Sequence, residues 1–189
     1  MWMLLLHTVH IKDNVEAWFV VNGVPIRYSL IEHSLLSGLD TTPYPASEGD
    51  FSFVNKHFEK EEKISRKKVK EKLTSMETGT ERRKMALLYL LASLFKRPSR
   101  DVDPIDTFLL KIVSDLDFCC NYPWGRYTFN ECLKNIQYLV TYYQSRSKKT
   151  TNFVGFNIPL EILVFECIPA LRRKFRKDME ECGDDCPRM

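Results

Sequence analysis

Four histidines and six cysteines are the residues through which this chain could do proton-transfer, nucleophilic or metal chemistry, and their spacing supports none of the three. A cysteine nucleophile needs a histidine base and a third group to orient it. His33 falls in an amphipathic helical pattern and His57 in a charged one, and neither has a companion motif, so both read as surface or half-buried packing. His7-x-x-His10 and Cys182-x-x-x-Cys186 could each supply two metal ligands. They stand at opposite ends of the chain, without the second close pair that a structural zinc site uses. The carboxylates are scattered, and Gly23, Gly38, Gly49 and Gly79 are too isolated to form a phosphate-binding loop. No catalytic, metal-ligating or cofactor-binding residue is assigned, and no small-molecule substrate is expected.

Charge carries more signal. The net charge is +3, but residues 1–53 carry two Lys/Arg against six acids, residues 54–100 fourteen against six, and residues 101–189 twelve against thirteen. In the basic middle, Arg66, Lys67, Lys68, Lys70 and Lys72 set cations around one helix, and Lys67-Lys68-Val69-Lys70 matches a short nuclear-import pattern. Arg82, Arg83 and Lys84 fall in the first turn of the next helix. The macrodipole is positive there, so each cation costs about 0.3–1 kcal/mol unless an acid or an external anion compensates. Three readings follow: a solvated helix face, a docking or import signal, or phosphate contact with nucleic acid. Aromatics do not interleave with these cations, which argues against single-strand stacking. A further run, Arg172-Arg173-Lys174-Phe175-Arg176-Lys177, lies at a helix C-terminus, where cations are favourable anyway.

One compact string stands apart, Pro123-Trp124-Gly125-Arg126-Tyr127. Gly125 permits a tight turn, Trp124 a large buried anchor, and Arg126 a clamp on backbone or carboxylate. It reads as a structural corner between two helices, with an exposed Trp/Arg recognition spot as the other reading.

The elements that must position these residues are mostly helical. Ala17–Val21 and Val24–Tyr28 flank Asn22-Gly23, which predicts a hairpin whose second strand, containing Pro25, is an edge. Ser29 and Glu32 form a capping box for a helix that Gly38 can close. After a loop over Asp40–Asp50, helices are expected over 54–62, 65–76 and 81–96, the last apolar on nearly every face and so buried on several sides. Pro104 opens a helix with a stripe from Ile105 to Leu116. Thr128 and Glu131 form a second capping box, for a helix burying Phe129, Cys132, Leu133, Ile136 and Val140. Pro159 opens the last long helix, kinked at Pro169. The fold class is mainly α, a helical bundle with a small N-terminal β-hairpin. It forms one domain over 1–178, with 179–189 as a flexible tail.

Apolar residues make up 44% of the chain, enough for a core. The cysteines form no disulfide framework, Met1–Leu6 lacks the basic flank and cleavage site of a signal peptide, and Met85–Phe95 is about half the ~20 residues a membrane span needs. These features point to an intracellular protein, cytosolic or, through its import-like string, nuclear, with no membrane contact.

The string from Trp18 to Leu30, its continuation from Glu32 to Leu39, and Pro43-Tyr44-Pro45 resemble the opening of a plant family, domain of unknown function 1985. Leu87-Leu88-Tyr89-Leu90-Leu91, Pro123–Arg126, and Phe156-Asn157 through Phe165–Leu171 are similar to its later landmarks, in order, so the resemblance covers roughly Leu4 to Phe175. It implies a transposon-derived plant protein in which such a domain precedes a SUMO-type cysteine protease, and it brings no catalytic or binding residues to carry over. Gly183-Asp184-Asp185-Cys186 echoes the nucleophile region of those proteases only by coincidence, because Pro187 follows and no His-Trp pair precedes. Together these readings point to a non-catalytic module that binds or targets a protein partner. A DNA-binding module of mobile-element origin, using 65–72 and 82–84, is the alternative.

Overall fold

The alternation in Glu16–Val21 builds a strand with one buried face, from which Ala17, Phe19 and Val21 point inward. In the computed structural model, which describes residues 8–12, 15–47, 49–58, 63–95, 101–144 and 155–175, this strand (β2, Glu16–Val21) turns into β3 (Val24–Ser29). Asn22 and Gly23 have φ of 52° and 79°, the positive values a tight two-residue turn requires. Pro25 lies on an edge strand, where its missing donor costs nothing. The hairpin is extended by β1 (Thr8–Lys12), antiparallel to β2, which gives the sheet order β1-β2-β3. Its cue is the β-prone run Thr8-Val9-His10-Ile11, which a reading for signal peptides and metal spacing passes over.

β3 runs straight into α1 (Leu30–Ser37). Both halves of the Ser29/Glu32 capping box form, and Gly38, at φ 67°, closes the helix by donating to Ser34 O at 2.9 Å. There follow α2 (Ser52–Phe58), α3 (Arg66–Ser75), α4 (Thr80–Leu94), α5 (Thr107–Ile112), α6 (Leu116–Cys120), α7 (Trp124–Gln144), α8 (Ile158–Cys167) and α9 (Pro169–Phe175). The fold is mainly α with a small antiparallel sheet.

Four helix boundaries differ from expectation. Pro104 opens no helix: it bridges to Ser65, Ile105 N–H donates to Ile64 O at 2.8 Å, and the Asp106 carboxylate caps α5 instead. A second cap, Asp115, then splits the expected stripe into α5 and α6. α7 opens at Trp124, so Thr128 is interior; its hydroxyl donates back to Trp124 O at 2.7 Å rather than capping. Pro169 breaks the last helix instead of kinking it, since Ile168 has left helical geometry (φ −124°, ψ 84°). The loop 146–152, the tail 179–189, His7, Cys182 and Cys186 lie outside the described residues.

Two clusters of buried side chains share one wall. α2–α6 pack around Phe53, Val69, Met85, Leu88, Leu109 and Ile112, while the sheet, α1 and α8 pack around Phe19, Tyr28, Leu160 and Val164. α7 supplies Trp124 and Tyr127 to the first cluster and Phe129, Cys132, Leu133 and Ile136 to the second. Phe156 joins them from the side, its ring 6.5 Å from His33 and 5.4 Å from Phe95.

At the seam, Gly125 N–H donates to Asp40 O at 2.7 Å, and a Cβ on Gly125 would lie 2.7 Å from both Asp40 O and Leu39 O. Only glycine fits. Gly125→Ala is expected to cost about 1–3 kcal/mol by forcing the 39–41 backbone off α7. Gly79→Ser, where nothing lies within 4 Å and no side chain caps α4, should gain a few tenths of a kcal/mol. Urea titrations of the two variants measure the contrast.

Candidate interaction site

The Trp124 corner is a fastening between segments. The Trp124 indole is buried against Phe95 and Tyr122, both at 5.1 Å, and its Nε1–H donates to Cys119 O at 2.8 Å. Arg126 Nε–H donates to Thr41 O at 3.0 Å and Thr42 O at 2.7 Å, so the guanidinium straps the 40–42 loop to the start of α7. Asp40 is held below the usual carboxylate range, first by hydrogen bonds from Thr42 and, more weakly, by Arg126.

His33, His57 and two of the cysteines are also engaged in packing. His33 is fully buried, not half-buried, and both ring nitrogens are bound: Nδ1 to Tyr28 Oη at 2.6 Å and Nε2 to Thr128 Oγ1 at 2.9 Å. Because the Thr128 hydroxyl proton goes to the Trp124 and Gly125 carbonyls, Nε2 must donate and Nδ1 must accept from tyrosine. Burial lowers the His33 pKa to about 4, so the ring is neutral at physiological pH. The Cys132 thiol contacts the Tyr28 hydroxyl; burial pushes Cys119 and Cys132 up to about 12, far from a nucleophilic thiolate. His57 Nε2 binds Glu81 at 2.8 Å, which Lys56 also reaches at 2.9 Å. Among the described residues no group of three His, Cys, Asp or Glu could hold a metal.

The cations separate into two kinds. Arg66 is withdrawn, its side chain 10% exposed and paired with the Asp101 carboxylate. Lys84 is half-buried and donates to Ser114 O at 2.5 Å, its ammonium 5.7 Å from the Phe53 ring. Lys67, Lys68 and Lys70 are exposed and Lys72 half-exposed. At 100° per residue Lys67 and Lys70 take one flank of α3 and Lys68 and Lys72 the other, with Glu71 between them, 3.9 Å from Lys67. The four lysines therefore form no single stripe. Arg82 and Arg83 are exposed in the first turn of α4, where the neighbouring acid, Glu81, is taken by Lys56 and His57.

A cleft of about 730 Å³ lies beside α4, lined by Asp50, Ser52, Lys84, Ser114 and Asp115 among others, with no histidine or cysteine. Ser52 and Ser114 hydrogen-bond the Asp50 carboxylate there, which these bonds hold below its usual range. Two leucines on the same helix, Leu90 and Leu94, were expected inside; they are 50% and 44% exposed.

Residues 5–135 match the family described as a domain of unknown function, DUF1985. The chain belongs to this family. The matched DUF1985 region contains the sheet, the Gly125 seam and the whole α3–α4 pair. An Arabidopsis thaliana protein described as uncharacterised is similar to the chain, 28% identical over 122 residues, which is 64% of this chain and 13% of that protein. The DUF1985 chain thus spans about an eighth of that relative's length. No solved structure matches it. No helix among the described residues is long and apolar enough to cross a membrane.

Two outcomes test these assignments. Because the folded pKa of His33 lies below its unfolded value, stability is complete above pH 6.5 and is lost as pH falls toward 4, by roughly 3 kcal/mol for this group. Urea unfolding across that range should show the loss, and His33→Gln should flatten that limb. Arg66→Met should cost about 1–2 kcal/mol, the exposure of Asp101 softening the loss, while Lys68→Met should stay within about 0.5 kcal/mol.

Proposed function

We propose that this DUF1985 domain is a non-catalytic module that binds a protein partner, using the exposed surface of the α3–α4 pair. The observation that carries this reading is the division of polar groups. Among the described residues, His33 is held at both nitrogens and Cys119 and Cys132 are buried, which leaves Cys120 and Cys167 as the exposed thiols. The cations left outside, Lys67, Lys68, Lys70, Arg82 and Arg83, are tools of association rather than of catalysis. In a chain as long as the Arabidopsis relative, such a module would dock a larger polypeptide, and with a linked SUMO-type protease it would deliver that protease to its target. The Lys67–Lys70 string would serve nuclear import if that larger protein works there.

DNA binding is the competing use of the same cations. The placement of the α3 lysines on two flanks argues against it, since a phosphate backbone rewards cations gathered on one face. Fluorescence anisotropy with a labelled duplex and a labelled glutamate-rich polypeptide, each titrated across salt, separates the two. The proposal predicts that the acidic polypeptide binds and that charge reversal at Lys67, Lys70, Arg82 and Arg83 abolishes binding. A duplex that binds more tightly than the polypeptide, with log K falling by about 0.9 per neutralised phosphate for each tenfold rise in salt, would replace the proposal with the DNA reading.

A further inference from the structure

α4 is apolar on nearly every face, the pattern of a helix covered all round, yet one face is uncovered. Met85, Leu88, Leu91 and Ala92 face the core. Arg83, Ala86, Leu90 and Leu94 follow at i, i+3, i+7 and i+11, which keeps them on one outward line, and all four are exposed. Leu87 lies half-buried beside them, and Arg82 stands at the helix start. Resting on the interaction role proposed above, we infer that this line is the docking face for an acidic amphipathic helix of a partner protein. That helix would place leucine-like side chains over Leu90 and Leu94 and carboxylates at Arg82 and Arg83.

The charges select this occupant. The apolar stretch is bounded at its start by Arg82 and Arg83, both exposed. The outward line Arg83, Ala86, Leu90 and Leu94 carries no acid, so the same line on a second copy would bring no carboxylate to the arginines in either direction. Duplex DNA would satisfy the arginines and leave both leucines in water. A partner helix with one acidic end and an apolar stretch beyond it satisfies both parts, and it fits the helix-on-helix mode in which anchors recur at i, i+4 and i+7. The Glu81 carboxylate, already bound by Lys56 and His57, does not compete for the arginines.

The test is a display library of helical peptides about 15–20 residues long, with leucine fixed at i, i+4 and i+7 and all other positions random, selected against the whole chain. Enriched clones should carry Asp or Glu toward the end that meets Arg82 and Arg83. Their binding should weaken about tenfold or more in the Leu90→Ser/Leu94→Ser double variant and in the Arg82→Glu/Arg83→Glu double variant. Leu35→Ser, on exposed α1, should change nothing; circular dichroism checks that each variant is folded. Failure to enrich any clone, or clones indifferent to the leucine variant, would overturn the inference. So would vesicles rich in phosphatidylserine binding through Leu90 and Leu94 while the peptides do not. Should the glutamate-rich polypeptide still bind through the cations when the leucine variant proves neutral, the interaction role stands and only this face is wrong; if the cation variants are neutral too, both fall.

Discussion

A buried imidazole held at both nitrogens is the interaction on which the rest of the structure depends. Tyr28 comes from the last strand, His33 from the helix that follows it, and Thr128 from the first turns of α7, ninety-five residues further along the chain. Protons run one way, from tyrosine to Nδ1, from Nε2 to threonine, and from threonine to the Trp124 and Gly125 carbonyls. Every donor in the line meets an acceptor, so the chain costs little to bury and much to break. Thr128 sits between Tyr127, which faces one core, and Phe129, which faces the other. The same few residues of α7 are pinned from outside by Asp40 on Gly125 and by the Arg126 fork on Thr41 and Thr42.

This arrangement ties up the one buried histidine among the described residues. A histidine with a depressed pKa and neutral partners has neither the free lone pair nor the charge to act on a substrate. The ion pairs are treated alike: Arg66 with Asp101, and Glu81 with Lys56 and His57, hold segments together. On the proposed account function falls to the surface, where α4 sets arginines at its start and leucines beyond them.

Local chemistry was legible in the sequence, and long-range pairing was not. Asn22-Gly23, the Ser29/Glu32 box and Gly38 each specify their own geometry within a few residues, and each appears as read. Thr128/Glu131 has the same local form but lies inside a helix, because Pro123-Trp124 opens it earlier and tertiary contacts at Gly125 favour that start. Asp106 and Asp115 outcompete Pro104 as helix starts because a side-chain cap satisfies an amide, which a proline cannot. No short-range pattern marks His33 as the partner of Thr128, or Arg66 as that of Asp101. The outward turn of Leu90 and Leu94 was hidden for a related reason: an all-round apolar helix does not say which of its faces its own chain will cover.

The role of the histidine chain as the joint between the two cores is tested most directly by a double-mutant cycle between Tyr28→Phe and Thr128→Val, read by urea unfolding at neutral pH. Neither residue bonds the other; because Tyr28 also touches Phe129, the cycle is repeated in His33→Gln, where coupling carried by the imidazole disappears. The structure predicts non-additivity of about 0.5–1 kcal/mol or more, because losing either partner releases the ring that the other holds. Effects that add to within about 0.3 kcal/mol would show that the two bonds act independently, and the joint would then rest on apolar packing along α7 alone.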